Sequence, residues 1–134
     1  MSLRLPYILS IVFIVLASFG LSFAQDQIAK DVNPVIYVEA SEAQRLLKDN
    51  PAIQVLDVRT KGEFKRGHID GAIRVNYIST KFKKKLRALD TSKTYLVHCK
   101  SGHRSGRAVK VMKKLGFTNI IHLDGGYDAW KKLP

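Results

Sequence analysis

The chain has 134 residues, with 23 Lys or Arg against 11 Asp or Glu, a formal net charge of +12 and 46% hydrophobic residues. So much apolar content excludes a disordered polyelectrolyte, and the length allows one compact domain at most. Four prolines and nine glycines are ordinary usage, which removes collagen-like and low-complexity readings.

Residues 5–24 carry no charge, are dominated by Ile, Val, Leu and Phe, and follow a short head bearing Arg4. The run ends in Ser22-Phe23-Ala24, small residues at the positions a signal peptidase reads, before polar Gln25-Asp26. That is the grammar of a secretory leader. The competing reading is an uncleaved anchor, since about 20 apolar residues span a bilayer. Against it, Pro6, Ser10, Ser18, Gly20 and Ser22 dilute the run, and no positive cluster follows. The expected organisation is a signal peptide over 1–24, a polar lead-in over 25–34 and a single domain over 35–134. The expected location is the periplasm, with membrane contact only if the leader is retained. Cys99 is the only cysteine, so no intramolecular disulfide can form. In an oxidising compartment an unpaired thiol must be buried or used, which makes Cys99 the first candidate for chemistry.

The first strand is predicted at 35–38, where Val, Ile, Tyr and Val follow Asn33-Pro34. Ala43, Leu46 and Leu47 recur at helical spacing within 42–48, with Ser41 as the expected N-cap and Asn50-Pro51 as the stop. Residues 53–58 form a nearly continuous apolar run, the pattern of a strand covered on both faces in a parallel sheet. Gly62, Gly67 and Gly71 punctuate a stretch expected to be loops and short turns, and 72–75 reads as a brief strand. A basic amphipathic helix is predicted over 80–89, with Phe82, Leu86 and Leu89 on one side and solvated lysines elsewhere. A strand over 94–99, a helix over 105–115 closed by Gly116, a strand over 119–123 and a helix over 127–132 complete the chain. Strands alternating with helices predict an open α/β sheet.

Basic residues concentrate at Lys61, Lys65 and Arg66, in 81–87, and from Lys100 through Lys114. They read either as solvated faces or as a field attracting small anions or an anionic lipid surface. No nucleic-acid recognition motif is visible, and no such partner is expected.

Cys99 falls where a strand ends and a helix begins, at the carboxyl edge where open α/β sheets bind ligands. A tight loop there turns backbone N–H groups inward, and the helix adds its positive end. Both favour an anion over the loop, and thiolate over thiol.

The run Cys99-Lys100-Ser101-Gly102-His103-Arg104-Ser105 resembles the Cys-x-x-Gly-x-Arg-Ser loop of the rhodanese sulfurtransferase family, in particular its small single-domain exported members. Asp57-Val58-Arg59 with Glu63-Phe64, Gly67-His68-Ile69 and Gly71-Ala72 is similar to that family's first signature, and Gly125-Gly126 with Trp130 to its closing segment. The resemblance covers about residues 35–133. It implies an α/β fold with a five-stranded, mainly parallel sheet flanked by helices on both faces. It extends to dual-specificity phosphatases, whose loop holds five residues between Cys and Arg. Lys100, Ser101, Gly102 and His103 make this loop four, a cradle suited to a bound sulfur atom, and no general acid for a phosphatase leaving group is identifiable.

The implied reaction is sulfur transfer. Cys99 takes the outer sulfur of an anionic donor such as thiosulfate as a persulfide, and a thiol or cyanide then removes it. The resemblance implies no cofactor and no metal, and a monomer is expected. The competing functions are a sulfur carrier loaded by a partner protein and, behind it, a phosphatase. Lys100 and His103 are the loop side chains able to meet an anionic donor, or else solvated surface groups. Arg104 either touches substrate or anchors the loop on Asp57, Glu63 or Asp70, the anchor being preferred because Arg pairs bidentately with a carboxylate. Ser101 belongs to the loop, Gly102 supplies a conformation or close approach a side chain would block, and Ser105 is the expected helix cap. His98 is expected to be structural, because successive strand residues point to opposite faces. His68 and His122 lack metal-ligand spacing. Asp57, Arg59, Glu63 and Trp130 are expected to tie loops and the last helix to the sheet.

Overall fold

The computed structural model describes residue 31 and residues 33–134. The leader expected over 1–24, and most of the lead-in over 25–34, lie outside the described residues. No described helix is long and apolar enough to cross a membrane.

The elements run β1 (Ile36–Val38), α1 (Ala40–Asp49), β2 (Gln54–Asp57), α2 (Lys61–Lys65), β3 (Ile73–Arg74), α3 (Phe82–Arg87), β4 (Thr94–His98), α4 (His103–Lys114), β5 (Asn119–Leu123) and α5 (Gly126–Trp130). The strands form one sheet in the order β1-β5-β4-β2-β3, and every pairing is parallel. The alternation of strands and helices therefore gives the five-stranded α/β sheet expected from the sequence. Parallel neighbours need crossovers, and the helices that supply them cover both faces.

The strands sort their side chains between two cores. Leu56, Val97 and Ile120 join Phe82 and Leu86 of α3 and Ala108, Val109 and Met112 of α4. Val55, Leu96, Ile121 and Leu123 join Ala40 and Ala43 of α1, with Tyr127, Ala129 and Trp130 of α5 packed against them. Adjacent residues such as Leu96 and Val97 thus enter opposite cores, as a period of two requires. The lysines of α3 are exposed while Phe82 and Leu86 are buried, so that basic run is a solvated face over an apolar stripe.

Local differences from expectation have identifiable causes. Ser41 does not cap α1: the helix begins at Ala40 with Glu39 as N-cap and no side-chain cap bond. Ala40 is buried in the α1 core, and tertiary packing sets the helix start ahead of the capping residue. Residues 61–65, expected as loop, form α2. Thr60 is its N-cap in a reciprocal capping box, with the Glu63 amide donating to the Thr60 hydroxyl at 3.3 Å and the Thr60 amide to Glu63 Oε2 at 3.1 Å.

Candidate active site

The segment between β4 and α4 is built backbone first. Gly102, the N-cap residue of α4, lies at φ +102°, a left-handed conformation that L side chains rarely adopt. The turn brings the Gly102 amide to 3.1 Å from Cys99 Sγ and lets α4 start at His103. Behind the loop, the first turn of α5 presses against its carbonyls. The Tyr127 amide donates to Cys99 O at 2.8 Å and the Asp128 amide to Lys100 O at 2.9 Å. Gly126 makes this approach feasible, since a Cβ there would lie 2.6 Å from both carbonyl oxygens. With its carbonyls held from behind, the loop presents N–H groups to the sulfur.

Cys99 is 1% exposed and its Sγ accepts from Gly102 N–H and, at 3.4 Å, from the Ser105 hydroxyl. Burial alone raises the thiol's pKa. The Ser105 hydroxyl and the N–H groups of Ser105, Gly102 and Ser101 outweigh that effect and hold it below the ordinary thiol value. Ser105 is therefore not the cap of α4. It lies in the first turn, fully buried, and its hydroxyl also lies 3.0 Å from Gly102 O and 2.9 Å from His122 Nε2. His122 Nδ1 in turn is 2.9 Å from Asp124 Oδ1.

Arg104 is engaged by a carboxylate. Its terminal nitrogens meet Glu63 in a fork, at 2.8 Å to Oε2 and 2.6 Å to Oε1. Among the three carboxylates considered as its anchor, Glu63 is the partner. The Arg104 fork, helped by the Thr60 N–H and hydroxyl, lowers the Glu63 carboxyl to about 2 against the opposing effect of burial. Asp57 instead pairs with Arg59, whose Nη2 lies 2.6 Å from Oδ2 in a fully buried contact. Arg59 also donates to Gly67 O at 2.8 Å and stacks 4.2 Å from the centre of the Tyr127 ring, joining α5 to the loop after α2.

The remaining sites fall around this centre. Ser101 is exposed at the loop tip, and Lys100 and His103 are exposed on either side of it. Lys100 lines a cavity of about 330 Å³ with Arg59, Glu63, Arg66, Tyr127, Asp128 and Lys131. Cys99 does not line that cavity, so it flanks the loop from the α5 side. His98 is fully buried, its Nδ1 bonded to Cys99 O at 3.0 Å and its Nε2 facing Asp57 at 3.7 Å. It enters the α1 face, opposite to Cys99, and burial lowers its pKa against the pull of Asp57. His68 stacks on Phe64. Among the described residues no group of three or more His, Cys, Asp or Glu is placed to hold a metal ion.

The connection of Ser105, His122 and Asp124 is not among the features expected from the sequence. The available signal was the i, i+2 spacing of His122 and Asp124 at a strand end, which points both toward one face.

A model of the rhodanese-like domain matches residues 39–133. The chain belongs to the rhodanese-like family. Rhodanese-like domain-containing protein 17 of Arabidopsis thaliana is 37% identical over 114 residues, 75% of this chain and 72% of that protein. The thiosulfate sulfurtransferase GlpE of Pseudomonas aeruginosa is 33% identical over 95 residues, 70% of this chain and 83% of its own length. A rhodanese-related protein of Thermoplasma volcanium shares the fold with a TM-score of 0.64 at 30% identity, over 72% of this chain and 91% of that one. This rhodanese-like domain is thus a member of a sulfurtransferase family.

Proposed function

We propose that this rhodanese-like protein is a thiosulfate:acceptor sulfurtransferase working through a Cys99 persulfide. The observation that carries the reading is the Cys99 sulfur itself, held below the ordinary thiol pKa by loop N–H groups and the Ser105 hydroxyl at the carboxyl edge of the sheet. Cys99 thiolate attacks the outer sulfur of thiosulfate, the S–S bond of the donor breaks, and sulfite leaves with that bond's electron pair. Cyanide or a thiolate then attacks the outer persulfide sulfur, and Cys99 returns as thiolate. The donors that stabilise the thiolate also suit the negative outer sulfur of the persulfide. Lys100 of the loop and Arg66 beside it favour an anionic donor. The similarity to proteins named thiosulfate sulfurtransferases supports the same donor. Four residues between Cys99 and Arg104, and a guanidinium engaged by Glu63, speak against phosphoester hydrolysis. The apolar segment 5–24 supports export, with the domain acting in the periplasm as a monomer.

Intact-protein mass spectrometry tests the chemistry. Incubation with thiosulfate is expected to add about 32 Da, one sulfur atom on the nucleophile. Cyanide is expected to remove it, and Cys99→Ser to abolish it. Loading of the Cys99→Ser protein, or no loading of the unmodified one, overturns the proposal. In the second case, loading from a persulfidated partner protein would mark a carrier.

A further inference from the structure

The Ser105 hydroxyl carries one proton and faces three acceptors: Cys99 Sγ at 3.4 Å, Gly102 O at 3.0 Å and His122 Nε2 at 2.9 Å. It cannot serve all of them at once, and the state of His122 decides among them. Asp124 Oδ1 lies 2.9 Å from His122 Nδ1, and a carboxylate only accepts, so Nδ1 carries a proton. Neutral His122 therefore turns a lone pair at Nε2 toward Ser105 and draws the hydroxyl proton to itself. The Ser105 oxygen is then an acceptor for the Cys99 S–H. Protonated His122 donates from Nε2 instead, and the hydroxyl is released to donate to the sulfur.

We propose that His122, held by Asp124, accepts the Cys99 proton through the Ser105 hydroxyl, and so is a positioning residue for the nucleophile; this rests on Cys99 acting as the nucleophile of the proposed reaction. In that step the Cys99 S–H bond breaks and its proton joins Ser105 Oγ, while the proton formerly on Oγ bonds to Nε2. No electron is gained or lost by any group. The product is a thiolate that accepts from Ser105, next to an imidazolium that donates to Ser105 and to Asp124.

Burial makes the connection selective. Cys99 is 1%, Ser105 0% and His122 4% exposed, so water does not compete along the chain of hydrogen bonds. The Asp124 side chain is 53% exposed, which opens the far end to solvent. Around His122 stand Asp124 just past β5, the Tyr37 ring on β1 with centroids 5.2 Å apart and Ser105 on α4, while His98 of β4, on the opposite face, feels it only through space, its own charge disfavoured by His122. Gly102 packs on the ring as well, since a Cβ there would sit 3.6 Å from His122 Cε1. Asp124 is the one carboxylate among these, and its contact fixes which ring nitrogen faces Ser105.

The test is the ultraviolet thiolate band followed against pH, a clean signal because Cys99 is the only cysteine and Cys99→Ser supplies the blank. His122→Gln keeps a polar group near Nε2 but takes up no proton. It is expected to raise the thiolate midpoint by about one pH unit, leaving about tenfold less thiolate below the original midpoint. Asp124→Asn, at a half-exposed position that leaves the core intact, is expected to shift it the same way by less. Unchanged thiolate midpoints in His122→Gln and Asp124→Asn overturn the proposal. The band is read without any sulfur donor. Absence of thiosulfate loading would therefore overturn the proposed function while the shifts in these variants remained.

Discussion

Two histidine and aspartate networks meet the carboxyl edge of the sheet from opposite faces, and they do different work. On the α4 face, Cys99, Ser105, His122 and Asp124 form one line of contacts running from the sulfur to solvent. On the α1 face, His98, Asp57, Arg59 and Tyr127 form a cluster that meets the loop at the Cys99 carbonyl. The residue next to Cys99 in sequence thus contributes framework, and a residue on a different strand faces its hydroxyl partner. What separates them is side-chain parity. Val97, Cys99 and Ile120 enter one core while Leu96 and Ile121 enter the other.

If the α1-face network is framework, its disruption shows first in stability. Asp57→Ala leaves the Arg59 guanidinium, 3% exposed, without its carboxylate. Removing one partner of a buried pair costs about 3–5 kcal/mol, so the urea midpoint is expected to fall steeply. A cost below about 1 kcal/mol, the value typical of exposed pairs, would mean that the cluster is not a framework.

Gly126→Ala strikes where the two networks share backbone. A methyl group there meets the Cys99 and Lys100 carbonyls at 2.6 Å, at φ +58°. Conformational strain and overpacking together are expected to cost about 2 kcal/mol or more and to displace the loop from α5. Thermal unfolding and thiosulfate loading should both suffer. A variant that keeps its melting temperature but loads sulfur normally would show that the close approach is not required.

Ser105→Ala inverts the pattern. Loss of one buried hydroxyl is expected to cost only about 1 kcal/mol of stability. The thiolate loses a donor in the same change, so the Cys99 midpoint should rise while the urea curve moves little. A large stability loss with an unmoved thiolate band would place Ser105 with the framework.

The sequence made the scaffold legible for a simple reason: short apolar runs alternating with helical spacing admit few arrangements. The nearly continuous apolar character of 53–58, broken only by Gln54 and Asp57, announced a strand buried on both faces, and β2 is one. The position of Cys99 was equally legible, because a strand running directly into a glycine-containing loop and a helix defines a sheet edge. The hydrogen-bond directions around it were not legible. Ser105 looks like a cap from its place near a helix start, but Gly102 begins the helix earlier, and the serine's rotation about α4 turns it onto His122. Ser41 misled in the same way, with burial of Ala40 overriding a local preference. Helix α2 escaped notice because its capping box spans the four residues from Thr60 to Glu63, inside a glycine-punctuated stretch.

Glu63 gives the finest test of the comparison, because it connects the α2 cap to the helix that carries Ser105. Its carboxyl falls from an ordinary 4.5 to about 2 in the folded chain, chiefly through the Arg104 fork. A depressed folded value means that the unfolded chain binds more protons in between, so the pair stabilises the protein above pH 4.5 and that contribution fades as the pH falls toward 2. Water reaches part of the pair, so at neutral pH Glu63→Gln should cost about 1 kcal/mol or less. Its signature is the shape of the acid limb, where the melting temperature of the variant should fall less steeply between those values than that of the unmodified protein. Parallel limbs would mean that Arg104 adds no folding energy at Glu63. The Cys99 midpoint should stay in place in the same variant, because Glu63 holds α4 through Arg104 while the Ser105 hydroxyl, backed by His122, is what meets the sulfur. A thiolate midpoint that moved with Glu63→Gln would show instead that the Arg104 charge, released from its carboxylate, acts directly on the sulfur.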